Sequence, residues 1–360
     1  VHGSSGGNAY GGTKFTDDVQ AKAEQLAAEV FEGKESTLAP LSGHLAAELA
    51  VASVCKQGDM LVAIDRHQGG YDGYAAPYLP ELLGLRSASL PFDPATWNVR
   101  MEEAAHFIRS EQPSLVVLGA SFILFPYPIA PLREACNDVG AVLGYDGSHV
   151  LGLIGGKVFQ RPLREGADLL FGSTHKSFFG PQGGVLIAHE RDRIERAIDQ
   201  GTWKVLDNLH WHRIAATGHA LLELRRYGAQ YARMIVSNSK ALGRALEAEG
   251  FPLRFSELGF TESHQLLIDT ARLVELFGLT PVELSQRLER SDIVTDAVGR
   301  LGTSELTRWG FQPKEMGEVA TLLVAAARGR KVRVDVARLR RGRKLRYTLG
   351  PKTLPAALRG

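Results

Sequence analysis

Short, continuously apolar runs alternate along the chain with stretches of helical apolar spacing. Met60–Ile64, Ser87–Leu90, Leu115–Leu118, Ala141–Tyr145, Leu169–Phe171 and Val185–Ala188 read as buried strands. Their apolarity is continuous rather than alternating, which predicts a mostly parallel central sheet covered on both faces. Between them, Thr16–Phe31 carries Val19, Ala23, Leu26 and Val30 on one helical face, with Thr16 as the expected N-cap. Ser42–Val54 reads as a second helix. Its start follows Pro40-Leu41-Ser42-Gly43, so the free backbone N–H groups of its first turn could hold a phosphate. Repeated strand–helix alternation predicts an α/β fold with its ligand at the carboxyl ends of the strands.

Four regions are expected: an arm over 1–14, a large domain over 15–205, a connecting helical region over 206–250 and a smaller C-terminal α+β domain over 251–360. The last contains Leu266–Asp269, a helix near Thr280–Leu288 and another from Pro313 to Ala327. From Arg328 to Arg346 the chain is dense in Arg and Lys. Val332, Val334 and Val336 alternate with Arg333 and Asp335, as in a solvated edge or terminal segment. No aromatic interleaves these charges to stack bases, so no nucleic-acid partner is expected.

Composition narrows the class. The chain has 360 residues, enough for a large core and two domains; 44% are hydrophobic and 23% charged, as in soluble globular proteins. A net charge of +2 implies no polyanionic partner. Cys55 and Cys136 lack metal-ligand spacing and fit buried cytosolic thiols, so no metal site is expected. No apolar run is long enough for a membrane span and no signal peptide is visible, so the expected location is the cytoplasm.

The chemistry concentrates in Gly166–Gly184, GADLLFGSTHKSFFGPQGG. A short apolar run ends in Ser173-Thr174-His175-Lys176 and a glycine-rich turn. A strand-end lysine wrapped by small residues is rarely there for packing. Burial lowers a lysine's pKa and makes it a usable nucleophile, which a Schiff base to pyridoxal phosphate requires. The competing reading is a lysine snorkelling to solvent. About thirty residues upstream, Gly144-Tyr145-Asp146-Gly147-Ser148-His149 puts a carboxylate at another strand end. A carboxylate facing the pyridine nitrogen keeps it protonated, so that the ring accepts electrons.

With these residues in view, the chain resembles serine hydroxymethyltransferase, a fold-type I pyridoxal-phosphate enzyme, from about Tyr10 to about Phe311. Tyr10-Gly11-Gly12 is similar to the family's Tyr-Gly-Gly, and Pro40-Leu41-Ser42-Gly43 to its Pro-His-Ser-Gly phosphate turn. Asp146 and His149 fit its Asp-x-Ala-His. Thr174-His175-Lys176, with Gly180-Pro181-Gln182-Gly183-Gly184, fits its Thr-His-Lys and Gly-Pro-Arg-Gly-Gly. Gly299-Arg300-Leu301-Gly302-Thr303, with Thr307-Arg308-Trp309-Gly310-Phe311, fits its Arg-x-Gly-Thr block.

The resemblance implies roles. Lys176 is the Schiff-base lysine and Asp146 the pyridinium partner. Ser42, Gly43 and His44 belong to the phosphate turn, and Ser173 closes the strand before the lysine. His175 is expected near the phosphate or the Schiff base, the alternative being a structural hydrogen bond. His149 and Ser121 match residues near the cofactor's phenolic oxygen; for Ser121 a backbone-bonding role competes. Arg300 is expected to clamp the substrate α-carboxylate with a bidentate fork, and Tyr10 to approach the same carboxylate. Tyr71 stands where the family has a histidine stacked on the ring; a phenol still offers a platform but does not shuttle protons at neutral pH. A homodimer with shared active sites is implied, with the 204–212 segment reaching the neighbour's cofactor.

Departures fall mainly on the folate side. The family's catalytic glutamate registers with His2. The folate-contacting Asn-Lys-Asn-Thr-Ile-Pro stretch is missing between Ile293-Val294-Thr295-Asp296 and Gly299-Arg300. Leu-Thr-His-Gly reads Asp72-Gly73-Tyr74-Ala75, and Gln-Gly-Gly-Pro-His reads Leu206-Asp207-Asn208-Leu209-His210. The expected activity is making or breaking the Cα–Cβ bond of serine or another β-hydroxy amino acid, without ordinary tetrahydrofolate. A threonine-type aldolase or transaldolase, an aminotransferase and a non-catalytic cofactor-binding paralogue are the alternatives.

Overall fold

The computed structural model describes residues 11–197, 206 and 208–350. Tyr10 and His2 lie outside the described residues, as do 204, 205 and 207 of the segment assigned to the neighbour's cofactor. The chain divides into two compact units, Val1–Ala229 and Gln230–Gly360. The division falls within one long helix, so the connecting region expected over 206–250 is shared between the units.

The first unit is built on a seven-stranded sheet. Its strands are β1 (Glu35–Thr37), β2 (Met60–Ala63), β3 (Arg86–Ser89), β6 (Leu115–Leu118), β7 (Val142–Asp146), β8 (Leu169–Ser173) and β9 (Gly184–Ala188); a two-stranded ribbon, β4 (Phe92–Asp93) and β5 (Asn98–Val99), lies apart. The spatial order is β1-β9-β8-β7-β6-β2-β3. Strands β3, β2, β6, β7 and β8 run parallel, while β9 is antiparallel to both β8 and β1. Every residue of β2, β6, β8 and β9 is buried, the two-face coverage that continuous apolarity implies.

Two strand expectations change. Ser87–Leu90 is not a buried strand: β3 sits at the sheet edge with Arg86, Ser87 and Ser89 exposed, and only the following Leu90 is buried. Strand β1 carries too few residues to stand out as a periodic run. It forms because Glu35, Ser36 and Thr37 pair with Ala188, Ile187 and Leu186.

Helices α1 (Lys14–Phe31) and α2 (Gly43–Val54) flank the sheet, with α3 (Leu79–Leu82), α4 (Met101–Glu111), α5 (Ile129–Val139), α6 (Leu151–Gly155), α7 (Pro162–Glu165) and α8 (Arg191–Ala197) between later strands. α1 starts one turn early: Thr13 is its N-cap, and the Thr16 hydroxyl donates back to the Thr13 carbonyl at 2.7 Å instead of capping. α2 packs Ala46, Ala47, Ala50 and Val51 against Leu61, Val117, Phe171 and Leu186 of the sheet. Small residues on that face let the helix approach closely, bringing its N-terminus to the strand ends. α9 (Trp211–Ala248) runs through both units.

The second unit contains α10 (Thr270–Phe277), α11 (Pro281–Glu289), α12 (Ser304–Arg308), α13 (Met316–Ala327), α14 (Arg333–Arg340) and an antiparallel pair, β10 (Gln265–Leu267) with β11 (Arg300–Gly302). α11 begins with a reciprocal capping box between Thr280 and Glu283. The core joins Leu246 and Phe251 to Leu266, Leu284, Leu288, Leu323 and Val324. The basic tail forms a helix rather than an extended edge. Val332 and Val336, four residues apart, are buried on one face, while Val334 is 80% exposed. A short alternation of valines fits either period; packing selects the helix.

Candidate active site

The site lies where the parallel strands end. β7 finishes at Asp146, β8 at Ser173, and β6 at Leu118 before Gly119-Ala120-Ser121. The loop after β2 supplies Tyr71, and the start of α2 supplies Gly43 and His44. One cleft is lined by Gly43, His44, Tyr71, Ser121, Asp146 and His149, together with Ser173 and Lys176. Those eight expected residues, from five separate stretches of sequence, thus meet in one place. Ala120 and Ser148 line it as well.

Close approach is built into the backbone. A Cβ at position 43 would stand 2.1 Å from Ser173 Oγ and 3.0 Å from its backbone nitrogen. At Gly184 a Cβ would meet the Ser42 carbonyl oxygen at 2.2 Å. These glycines let the first turn of α2 sit directly against the ends of β8 and β9, where Gly184 N also donates to the Pro40 carbonyl at 2.9 Å.

Ser42 is the N-cap of α2: its hydroxyl accepts from Leu45 N at 3.1 Å. Its oxygen accepts the capping bond while its O–H can still donate, and it is not among the residues lining the cleft. The backbone N–H groups of Gly43 and His44 are first-turn positions with no intrahelical acceptor, and these N–H groups, together with the Ser42 O–H that capping leaves unused, can donate to an anion. The His44 imidazole Nδ1 lies 2.8 Å from the Tyr71 hydroxyl, with the rings edge-on. Histidine is thus absent at position 71 but an imidazole is bonded to the phenol that replaces it. Burial and the nearby Asp146 and Asp72 push the Tyr71 phenol's pKa up, so it stays neutral.

Asp146 is buried. Its Oδ1 accepts from Ser148 N at 2.9 Å and its Oδ2 from the hydroxyl of Tyr74 at 2.7 Å. The Ser148 hydroxyl in turn accepts from Ser173 N at 3.1 Å, tying β7 to β8. The contact between Tyr74 and Asp146 was not legible in the sequence. The only signal was an aromatic three residues after Tyr71, and its partner is 72 residues away.

Lys176 stands on the turn after β8, at the cleft, with its side chain exposed rather than buried as a strand-end residue. His175 is also exposed and does not line the cleft. Partial desolvation, then the neighbouring ammonium of Lys176, lowers its pKa below the usual histidine value. Gln182 is exposed, and Thr174 fastens the turn by donating to the Pro181 carbonyl at 2.7 Å. In the second unit, Arg300 opens β11 and pairs with Asp296: its Nε donates to Oδ2 at 2.6 Å, and its backbone nitrogen to Oδ1 at 3.0 Å.

This donor set fits pyridoxal phosphate. A helix N-terminus and a glycine cradle suit the phosphate, a doubly supported carboxylate suits the pyridine nitrogen, and a primary amine faces the same cleft. Comparison with known proteins agrees. The serine hydroxymethyltransferase family model matches residues 1–323.

The chain belongs to the serine hydroxymethyltransferase family.

Serine hydroxymethyltransferase of Methanobrevibacter smithii is 38% identical over 339 residues, covering 91% of this chain and 80% of that protein. The enzyme of Methanocaldococcus jannaschii is 37% identical over 356 residues, covering 93% and 82%. Among solved structures, L-threonine transaldolase from Pseudomonas fluorescens in its internal aldimine state superposes with a TM-score of 0.85 at 24% identity. It covers 100% of this chain and 85% of that one. The fold is that of the fold-type I pyridoxal-phosphate enzymes, and this family member is a pyridoxal-phosphate-dependent enzyme acting at the Cα–Cβ bond of a small amino acid. Among the described residues no helix is long and apolar enough to cross a membrane.

Proposed function

We propose that this protein makes and breaks the Cα–Cβ bond of serine or another β-hydroxy amino acid without ordinary tetrahydrofolate. One contrast carries the reading. The cofactor-side residues converge on one cleft, whereas the segment that contacts folate in the family is absent before Arg300. That stretch is only the short link Ile293–Gly299 here, held by Asp296 against the backbone nitrogens of Val298 and Arg300.

Pyridoxal phosphate, when bound, supplies an electron sink for the pair left on Cα as the Cα–Cβ bond opens. Lys176 would supply the amine that anchors the cofactor. Asp146 holds the ring nitrogen's proton by charge pairing. The first-turn N–H groups of α2 hold the phosphate, and Tyr71 supplies a face against the ring. By family position Arg300 would take the substrate α-carboxylate, and a bidentate clamp there would orient the Cα bonds and so select which one opens. His149, Ser121 and Ser173 complete the cofactor side, with His175 and Tyr10 assigned by family position. The protein acts as a homodimer in the cytoplasm.

The deciding assay feeds the cofactor-loaded enzyme serine, then threonine, with and without tetrahydrofolate, and measures glycine and aldehyde. Glycine formed at equal rates with and without folate supports the proposal. Glycine formed from serine only when tetrahydrofolate is present refutes it. Preference for threonine, with exchange of its aldehyde, selects the transaldolase reading, which the likeness to the Pseudomonas fluorescens enzyme favours. Light scattering that returns a monomer binding the cofactor would remove the dimer.

A further inference from the structure

Asp146 is also supported by a side chain from outside its own strand. Tyr74 lies on the 3₁₀ turn Asp72–Tyr74, in the stretch that departs from the family's Leu-Thr-His-Gly. It is 3% exposed, and its hydroxyl reaches Asp146 Oδ2 at 2.7 Å. The ring is fixed by packing: it belongs to the cluster of Leu61, Ala63, Leu79 and Val117 and meets the Tyr71 ring edge-on at 5.4 Å. Gly73 permits that arrangement, since a Cβ there would lie 2.4 Å from Tyr71 Cε1.

We infer that Tyr74 is a positioning residue that sets how much negative charge Asp146 presents to the cofactor's ring nitrogen. A phenol has one proton to give, and the geometry gives it to this carboxylate. Burial first, then the charge of Asp146, drives the Tyr74 pKa well above the usual phenol value, so the hydroxyl is a permanent neutral donor. In a low-dielectric site such a donor draws charge from the carboxylate more strongly than water would. The backbone N–H of Ser148 holds the other oxygen at 2.9 Å, so the carboxylate plane is fixed by one donor on each side. The other titratable groups around it are Tyr145, which precedes it in β7, and Lys176, His149, His44 and Tyr71, which line the cleft.

The inference rests on Asp146 facing the ring nitrogen. The test is a pH titration of the bound cofactor's visible absorption, near about 420 nm when the nitrogen it shares with Lys176 is protonated. Removing the donor makes the site more negative, so that proton is retained to higher pH. For Tyr74→Phe, which keeps the ring, the midpoint is expected to rise by about half a unit or more. Site-specific 3-fluorotyrosine at 74, a stronger donor of nearly the same size, is expected to lower it. Opposite shifts are not produced by a purely structural side chain, and the second substitution keeps the test alive if the phenylalanine protein folds poorly. An unchanged midpoint in both proteins overturns the inference. Asp146→Asn separates the two levels. If it leaves cofactor binding and the midpoint untouched, the assignment of Asp146 itself falls; if it moves them while the Tyr74 variants do not, only the role of Tyr74 falls.

Discussion

Alanine at position 43 is the sharpest probe of how the cleft is built. The new Cβ would stand 2.1 Å from Ser173 Oγ, 3.0 Å from Ser173 N and 3.1 Å from Ser173 Cβ. Rotating the serine hydroxyl relieves only the first contact. The other two remain about 0.5 Å inside an ordinary separation, so the start of α2 must move away from β8. Overpacking of this kind costs about 1–3 kcal/mol, expected as a fall of about 2–10 °C in melting temperature. The same movement carries the Gly43 and His44 N–H groups away from the phosphate. Losing one charge-assisted hydrogen bond weakens cofactor binding about 10- to 100-fold. Differential scanning calorimetry and a spectroscopic titration with pyridoxal phosphate read the two effects. Gly317→Ala in α13 is the control, because nothing lies within 4 Å of its Cβ. Wild-type melting together with wild-type cofactor affinity in Gly43→Ala would refute the close-approach argument.

Three further outcomes are expected. Asp168, in the Gly-Ala-Asp turn before β8, accepts from Leu143 N at 2.8 Å and pairs with Arg133. Asp168→Ala leaves that N–H without an acceptor and Arg133, whose other nitrogen still donates to the Ala141 carbonyl, without its carboxylate, and should cost about 2–3 kcal/mol in urea unfolding. Glu32, with its side chain 12% exposed, faces Arg161, Lys157 and Arg164; its bond with Arg161, then the charge of Lys157, hold its pKa down to about 2 against burial. A depressed carboxylate stabilises the fold above its unfolded pKa and loses that contribution as pH falls through the folded value. Stability should therefore decline from about pH 4.5 towards about pH 2, by about 1–2 kcal/mol after allowing for solvent screening of the exposed partners. Chemical denaturation across that window should show Glu32→Gln losing less than wild type. Arg300→Lys exchanges a planar fork for a point charge, and KM for the amino acid should rise at least about tenfold with a smaller change in kcat. An unchanged KM would separate Arg300 from the substrate carboxylate.

Much of this protein is local in origin. Continuous apolarity marked β2, β6, β7, β8 and β9 because strands covered on both faces have no solvent-facing residues to interrupt the run. The chemistry was legible for a related reason. Asp146 closes its strand and Ser121 and Lys176 follow theirs, and these parallel strands all end on one side of the sheet, so the sequence order brings the three together. The start of α11 is also local, since its capping box joins Thr280 to Glu283 within four residues.

What tertiary structure decided is what depends on partners distant in sequence. β1 exists through its pairing with β9, and β3 is an exposed edge because no strand follows it in the sheet. The stretch Arg333–Arg340 became helical, with Val332 at its N-cap, because packing buried Val332 and Val336 together. The bond from Tyr74 to Asp146 and the pairing of His44 with Tyr71 join residues 72 and 27 positions apart. No propensity or spacing encodes such contacts; they arise when the sheet and α2 close on one another and each buried polar atom must find a partner.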